Sequence, residues 1–142
     1  ISNFAIDGKY SKHNMNCWLQ KEYIGIGTAA HSYMKNVRYS NCNNIEKYIK
    51  NMEEEENKNI YEIEEIQELE DRKKEYMLLG LRKIDGVQIS KFKEKYIDNP
   101  LFIYRKELNL LVEEGLINID GDFIKLTNKG IDFANLVWEE FV

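Results

Sequence analysis

The chain has 142 residues, of which 43% are hydrophobic and 32% are charged, and its formal net charge is −5. This length supports one ordinary core, or one small domain with an appendage. No apolar run is long enough for a membrane span or a signal peptide, and two cysteines do not make a disulfide framework. Because the sequence starts at Ile1 without an initiator Met, we expect a fragment of a longer, cytoplasmic protein.

Charge and ligand chemistry are both unevenly distributed. Residues 1–42 carry five basic and two acidic residues (+3), whereas residues 43–142 carry 15 basic and 23 acidic residues (−8). A basic opening segment favours an anionic ligand, although a charge of this size is also common on solvated surfaces. Every imidazole and every thiol of the chain lies in the same opening segment, at His13, Cys17, His31 and Cys42. We therefore expect any cofactor chemistry there.

The run Tyr23-Ile24-Gly25-Ile26-Gly27 is typical of a buried strand that opens into a loop of small residues. Glycines at such a place let other atoms approach the backbone. The run is similar to the Gly-x-Gly loops that bind phosphates, but neither a helix start nor an acidic ribose partner follows. A dinucleotide site is therefore disfavoured, and close strand packing explains the glycines equally well.

Two helices are predicted in the middle of the chain. The first is capped by Asn43 or Asn44 and runs through Met52. The second begins at Ile60 and ends near Gly86, because apolar residues recur at helical spacing at Ile63, Ile66, Leu69, Tyr76 and Met77. A regular apolar stripe of this kind packs into a core, so these residues are given no functional role.

The last third of the chain has the element order of a winged-helix module, from about residue 87 to 142. Ser90 is expected to cap a short helix, Pro100 to interrupt it, and a further helix to run from Leu101 to Glu114. An Asp-Gly turn at residues 120–121 then predicts a hairpin, and Thr127 is expected to cap the last helix. The predicted fold class is therefore α+β and mainly helical.

Charge argues against nucleic-acid binding by this module. Residues 81–142 hold nine basic and eleven acidic residues, and the helix that would enter a groove ends in Glu113-Glu114. Neutralising phosphates requires the opposite balance, and a winged-helix fold does not by itself imply DNA binding.

Several short motifs stand in one order along nearly the whole chain. They are Ile1-Ser2-Asn3-Phe4-Ala5, His13-Asn14-x-x-x-Trp18, Gly25-Ile26-Gly27-x-x-Ala30-His31-Ser32-Tyr33, Arg38-Tyr39-x-Asn41, Glu75-Tyr76-Met77-Leu78-Leu79-Gly80-Leu81-Arg82, Gly86-Val87, Gly115-Leu116, Leu126-Thr127-x-x-Gly130 and Asn135. In this order they resemble the C-terminal part of the oxygen-independent coproporphyrinogen III oxidase family of radical S-adenosylmethionine (SAM) proteins. Within that family the chain is most similar to the haem-chaperone branch.

The resemblance implies a partial (β/α) barrel that carries a 4Fe-4S cluster and SAM, followed by a helical C-terminal domain. This sequence lacks both the family's Cys-x-x-x-Cys-x-x-Cys cluster motif and its glycine-rich SAM motifs. We therefore expect residues 1–42 to be the last strands and loops of a truncated barrel and residues 43–142 to be the accessory domain. The fragment alone is expected to have no catalytic residue and no activity.

The resemblance also implies a haem site. Haem chaperones resemble one another in a pattern His-Asn-x-x-Tyr-Trp, and this chain has His13 and Asn14 with Trp18, but Cys17 in place of the Tyr. By this resemblance His13 is the expected ligand of the haem iron, Trp18 covers the porphyrin, and Cys17 is a second possible ligand. The competing interpretation is that His13 and Asn14 only tie down a turn by hydrogen bonds.

Further along, the resemblance implies that Gly25, Gly27, Ala30 and His31 line a SAM or substrate pocket, although His31 is equally well explained as a supporting residue. The first functional hypothesis is a haem chaperone that binds haem and passes it to apo-proteins. The second is coproporphyrinogen III dehydrogenase, which decarboxylates two propionate side chains oxidatively. The third, a nucleic-acid-binding winged helix, is disfavoured by charge.

Overall fold

The computed structural model describes residues 3–53 and 61–142. In chain order the elements are α1 (Lys12–Trp18), β1 (His31–Met34), β2 (Val37–Asn41), α2 (Ile45–Glu53), β3 (Tyr61–Ile66), α3 (Leu69–Gly80), β4 (Val87–Gln88), α4 (Ile89–Tyr96), α5 (Pro100–Ile103), α6 (Arg105–Glu113), β5 (Ile117–Asp120), β6 (Phe123–Leu126), α7 (Asn128–Asp132) and α8 (Ala134–Glu139). The fold is mixed and rich in helix, as the sequence predicts.

The chain divides into two compact units. The first, the core unit, comprises Ile1–Leu19 together with Glu70–Val142, and the second, the sheet unit, comprises Gln20–Leu69. Neither bound coincides with the predicted division at residue 42. That division concerns the barrel and accessory domain of a longer protein, and it stays a prediction.

Aromatic packing dominates the interior of the core unit. Phe92 of α4 is fully buried, and its ring lies 5.6 Å from that of Tyr76, 4.9 Å from that of Tyr96 and 6.4 Å from that of Tyr104, measured between centroids. Edge-on and tilted ring pairs of this kind are favourable beyond the area they bury. The remaining core residues come from α3, α6, α8 and the small sheet. The apolar spacing predicted for residues 76 and 77 therefore does serve a core.

A three-stranded antiparallel sheet with the order β4-β6-β5 completes the core unit. The predicted hairpin is confirmed, with Gly121 in the left-handed region at φ +55° and Ile117 paired with Leu126. Thr127 caps α7 as predicted, because its hydroxyl accepts the backbone N–H of Gly130 at 3.0 Å.

Three helix predictions in the core unit are wrong in detail. The single helix predicted after Thr127 is two helices, α7 and α8, since Phe133 leaves helical geometry at φ −112° and ψ 31°. Ser90 is not the cap of α4, because it lies inside the helix and its N–H is bonded instead by the Asp122 carboxylate of the hairpin turn at 2.8 Å. The helix predicted over residues 101–114 is two helices, α5 and α6, since Tyr104 leaves helical geometry at φ −110° and ψ 29°. Asn99, before Pro100, caps α5 by accepting the N–H of Leu101 at 3.2 Å.

The sheet unit contains an antiparallel sheet with the order β1-β2-β3. Helix α2 of the same unit begins after Asn44, as predicted. Asn44 accepts the N–H of Lys47 at 2.8 Å. The long helix predicted from Ile60 is wrong over residues 61–66, and Ile60 itself lies outside the described residues. Those six residues form β3, whose backbone pairs with β2, while the helix starts only at Leu69 and ends at Gly80.

The reason for this error is that the apolar positions 63, 66 and 69 fit one helical face and also fit a strand followed by a helix. Pairing with β2 satisfies those backbone polar groups of residues 61–66 that point toward β2, even though the side chains of this edge strand are exposed.

The predicted buried strand at Tyr23–Gly27 is also wrong. Tyr23 forms a single bridge with Tyr33, while Ile24 is 66% and Ile26 is 90% exposed. The segment is a loop. Gly27 takes φ +106°, a backbone conformation that glycine adopts more readily than other residues. Among the described residues, no helix is both long and apolar enough to cross a membrane.

Candidate functional site

Helix α1 presents the predicted iron ligand at the surface of the core unit. The helix starts after Ser11, whose hydroxyl accepts the N–H of Asn14 at 3.3 Å. His13 is exposed, Cys17 is half-buried, and His13 Nε2 lies 3.8 Å from Cys17 Sγ. Residues four apart share one face of a helix, so the imidazole and the thiol are neighbours on α1.

The other two residues of the predicted haem set lie on a different face of α1. Asn14 and Trp18 line a cavity of about 340 Å³ in the core unit, to which His13 and Cys17 do not contribute. Asn14 Nδ2 donates to Asn3 Oδ1 at 3.2 Å, which ties α1 to the segment before it. The structure therefore splits the predicted set into a ligand pair and a cavity-lining pair.

The wall of this cavity is amphipathic. Its apolar part comes from the side chains of Phe4, Tyr10, Met15, Trp18 and Ile84. The Tyr10 hydroxyl donates to Asp7 at 2.7 Å, and that bond raises the pKa of Tyr10. The polar part is formed chiefly by Arg82, Lys83 and Asp85, which follow α3.

Residues 82–85, which we call the basic turn, were not identified as a site from the sequence. Arg82 closes the family-like motif that begins at Glu75, and the adjacent Arg-Lys pair before a glycine was the available signal. Arg82 stacks its guanidinium over the Trp138 ring at 4.4 Å. Burial lowers the pKa of Lys83, because the ammonium loses hydration.

Gly86 anchors the basic turn to the hairpin. Its N–H donates to Lys83 O at 2.9 Å, and its backbone takes φ +72°. A Cβ at this position would collide with the carbonyl oxygen of Ile124. Only glycine permits both the left-handed conformation and this close approach, so the position of Lys83 depends on it.

The second predicted residue set, Gly25, Gly27, Ala30 and His31, forms one loop of the sheet unit. Asn41 Nδ2 holds the loop by donating to Gly25 O at 3.2 Å and to Gly27 O at 2.8 Å. A Cβ on Gly25 would collide with the carbonyl oxygen of His31, so close packing, the alternative explanation of this glycine, is present in the structure. Its role in a SAM or substrate pocket stays a prediction.

His31 is engaged by a carboxylate at the surface of the sheet unit. Its Nδ1 lies 3.0 Å from Glu64 Oε2. A hydrogen bond from Ser40, followed by the interaction with His31, lowers the pKa of Glu64. Both side chains are well exposed, so this pair contributes little to stability.

No group of three or more His, Cys, Asp or Glu residues suitable for a metal ion is found within residues 3–53 and 61–142. Because the whole chain has two cysteines, which are 25 positions apart at Cys17 and Cys42, it cannot form a cluster motif of three closely spaced cysteines.

Comparison with known proteins reveals similarity to one family. Residues 67–133 match the HemN C-terminal domain. The whole chain aligns at 34% identity with a protein named Heme chaperone HemW from Lactococcus lactis, of which it covers 36%, and at 34% with one of the same name from Bacillus subtilis, of which it covers 37%. Residues 67–133 are thus similar to the HemN C-terminal domain, and the whole chain is similar to proteins named as haem chaperones. This confirms the resemblance read from its motifs.

Two further similarities extend this HemN-like relationship. The mitochondrial radical S-adenosyl methionine domain-containing protein 1 of Dictyostelium discoideum is 32% identical over 92% of this chain and 34% of its own length. The Escherichia coli coproporphyrinogen III oxidase HemN, described as a radical SAM enzyme, superposes with a TM-score of 0.65 at 18% identity. That superposition covers 85% of this chain and 28% of HemN, and it shows a shared fold. The HemN-like chain spans about a third of the length of its curated relatives.

Proposed function

We propose that this chain is part of a haem chaperone, a protein that binds haem as cargo and passes it to apo-proteins. The observation that carries the proposal is the alignment of the entire chain, at 34% identity, with two proteins named as haem chaperones. The surface position of the imidazole on α1 supports it, since cargo that is handed on must be reached from outside.

In this proposal His13 binds the haem iron. A neutral imidazole is a common axial ligand of haem iron, and the His13 side chain is exposed and so accessible to a large planar ligand. Cys17 Sγ, 3.8 Å from His13 Nε2, would be a second possible donor on the same face of α1. Asn14 and Trp18 serve the porphyrin rather than the iron.

The remaining cofactors belong, in this proposal, to a part of the protein outside these 142 residues. A 4Fe-4S cluster needs more thiolates than the two cysteines here supply. Gly25, Gly27, Ala30 and His31 are proposed to face the SAM or substrate pocket. We assign no catalytic residue within the chain, and we propose a cytoplasmic protein.

The finer architecture is proposed on the same basis. Residues 1–42 are taken as the end of a partial (β/α) barrel, and about residues 87–142 as a winged-helix-like module. Support comes from the order of helices and of the β4-β6-β5 sheet, and from the fold shared with HemN. Nucleic acid is not proposed as a partner, because of the acidic balance of this module.

The second candidate function is oxygen-independent coproporphyrinogen III oxidase. The specific observation in its favour is the similarity in fold to E. coli HemN, at a TM-score of 0.65. A shared fold supports more than one function, whereas identity over the full chain favours the chaperone. The two candidates differ in one measurable property, the turnover of coproporphyrinogen.

The test is a haem titration of the full-length protein, followed by Soret absorbance. We expect His13→Ala to weaken haem binding at least about tenfold, or ~1.4 kcal/mol, and to change the Soret maximum. The matched control is Asn16→Ala, which truncates an exposed residue of the same helix outside the cavity and should leave the spectrum unchanged. Unchanged haem binding in His13→Ala would refute the assignment of His13 as the iron ligand. Conversion of coproporphyrinogen by the full-length protein would refute the haem-chaperone function.

A further inference from the structure

The cavity beside α1 has the composition of a binding site for a flat, apolar anion. Aromatic and aliphatic side chains from Phe4, Tyr10, Trp18 and Ile84 meet the basic turn within one wall. Phe4 and Ile84 are 86% and 85% exposed, although large apolar side chains normally find cover. A volume of about 340 Å³ lies at the lower end of the range for small-molecule sites.

Lys83 is a cation of this cavity that has no direct ion-pair partner among the described residues, although the charge of Asp85 acts on it. It is half-buried, and no described residue forms an ion pair or a hydrogen bond with its ammonium group. The contrast within the same unit is Lys73, which is buried between Glu70 and Asp98 at 2.6 Å from each carboxylate. Because a desolvated ammonium without a counterion is costly, an anion bound at Lys83 would stabilise it.

The neighbours of Lys83 favour an anion as well. Arg82, held over Trp138, adds a second positive charge, and Asp85 subtracts one, so that the basic turn carries a formal charge of +1 (two cations and one carboxylate). Asn14 and Ser11 add polar groups to the lining of the cavity. Gly86 fixes the turn against the hairpin, so the cationic group is positioned before a ligand arrives.

We propose that this cavity binds the carboxylate-bearing edge of a tetrapyrrole, with Lys83 and Arg82 contacting a propionate and Trp18 packing against the macrocycle. This rests on the proposed haem-chaperone function and names the part of the ligand that the core unit recognises. The cavity is too small to enclose a whole macrocycle and accepts an edge of it. Recognition at this site requires the carboxylates and does not require iron.

Metal-free protoporphyrin IX is the probe that isolates this site, because it keeps both propionates and has no iron for His13 to bind. Binding to the full-length protein is followed by porphyrin fluorescence and by quenching of tryptophan. We expect the double variant Lys83→Gln, Arg82→Gln to weaken porphyrin binding about tenfold or more. A control double variant, Arg105→Gln, Lys106→Gln, removes one arginine and one lysine from exposed positions outside the cavity and should bind as the unmodified protein does.

A second measurement needs no variant and so does not depend on folding. The dimethyl ester of protoporphyrin IX has the same ring and no negative charge, and it should bind about tenfold more weakly than the free acid. Equal binding of the acid and the ester, or equal binding by the cavity and control variants, would overturn the inference.

The two proposals fail in distinguishable ways. If His13→Ala abolishes the haem spectrum while the cavity variant binds porphyrin normally, the cavity inference fails and the haem-chaperone proposal stands. If neither haem nor metal-free porphyrin binds to the full-length protein, both proposals fail. Porphyrin binding that survives His13→Ala and is lost in the cavity variant supports the cavity as a site separate from the iron ligand.

Discussion

The core unit and the sheet unit are stabilised in different ways. The core unit has a continuous apolar interior, in which Phe92, Met77, Val87 and Ile124 are fully buried. In the described part of the sheet unit, the buried apolar side chains are Tyr33 and Cys42, and isoleucines at positions 24, 26 and 63 are exposed. Burial stabilises the first unit, whereas backbone pairing organises the second.

This difference implies that the stability of the sheet unit depends more on contacts with other atoms than the stability of the core unit does. Exposed apolar side chains on a small sheet mark a surface that other atoms normally cover. That expectation agrees with the proposal that residues 1–42 complete a barrel in a longer protein. The basic turn lies in the core unit, which has an apolar interior of its own.

The largest effect is expected from truncating the centre of the core unit. Phe92→Ala removes a fully buried ring and should destabilise the core unit by about 3–5 kcal/mol. Ile26→Ala, in the sheet unit, removes a side chain that is 90% exposed and should change stability by less than about 0.5 kcal/mol.

Both tryptophans, Trp18 and Trp138, lie in the core unit, so urea unfolding followed by tryptophan fluorescence reports on that unit. Amide hydrogen exchange of β2 reports on the sheet unit. A loss of similar size for Phe92→Ala and Ile26→Ala would contradict the contrast between the two units.

An intermediate effect is expected at the glycine that anchors the basic turn. Gly86→Ala and Gly8→Ala both place a side chain at φ +72°, so the conformational strain is matched. Only Gly86 faces an obstacle, the Ile124 carbonyl, because nothing lies within 4 Å of a Cβ at Gly8. We expect a loss of roughly 3 kcal/mol for Gly86→Ala and about 1 kcal/mol for Gly8→Ala, measured by urea unfolding. Equal losses of stability in the two variants would show that the basic turn moves away from the Ile124 carbonyl at no cost, and would contradict its anchoring by Gly86.

The smallest effect is expected in the pH dependence of stability, which we test at one carboxylate in each unit. Asp122 accepts hydrogen bonds from the Ser90 hydroxyl, from the Gln88 side-chain amide at 3.0 Å and from the Ser90 N–H at 2.8 Å. These bonds, that of the Ser90 hydroxyl first, lower the pKa of Asp122. A carboxyl whose pKa is lowered by folding stabilises the protein above its unfolded pKa, about 3.9, and this stabilisation is lost as the pH falls through the folded value.

Asp122→Asn should therefore reduce the acid sensitivity of the core unit below about pH 4, as followed by tryptophan fluorescence. Glu64→Gln removes the carboxyl with a lowered pKa in the sheet unit and serves as the control, since it should leave that signal unchanged. An identical acid transition in the unmodified chain and in Asp122→Asn would contradict the assignment.

Local patterns predicted much of the core unit. The hairpin with Gly121, the cap at Thr127 and the core positions 76 and 77 follow from turn chemistry, capping and periodicity, which act over a few residues. The pairing of His13 with Cys17 follows from helical spacing in the same way. The motifs in their order also predicted the family, because that order spans nearly the whole chain.

Contacts between distant residues could not be predicted in this way. The N-terminus of α4 is bonded by Asp122, 32 positions after Ser90, and no local pattern reveals which carboxylate reaches it. Residues 61–66 became a strand because β2 offered partners, although their spacing also suits a helix.

The sequence by itself determined the resemblance to the family, the core positions of α3 and the hairpin, since each depends on residues close together in the chain or on the order of motifs. The tertiary structure alone decided that Asn14 and Trp18 share a cavity with Arg82 and Lys83, more than 60 positions away. The physical reason is that a cavity forms where packed elements leave space, and the half-burial of Lys83 exists only once that packing is complete.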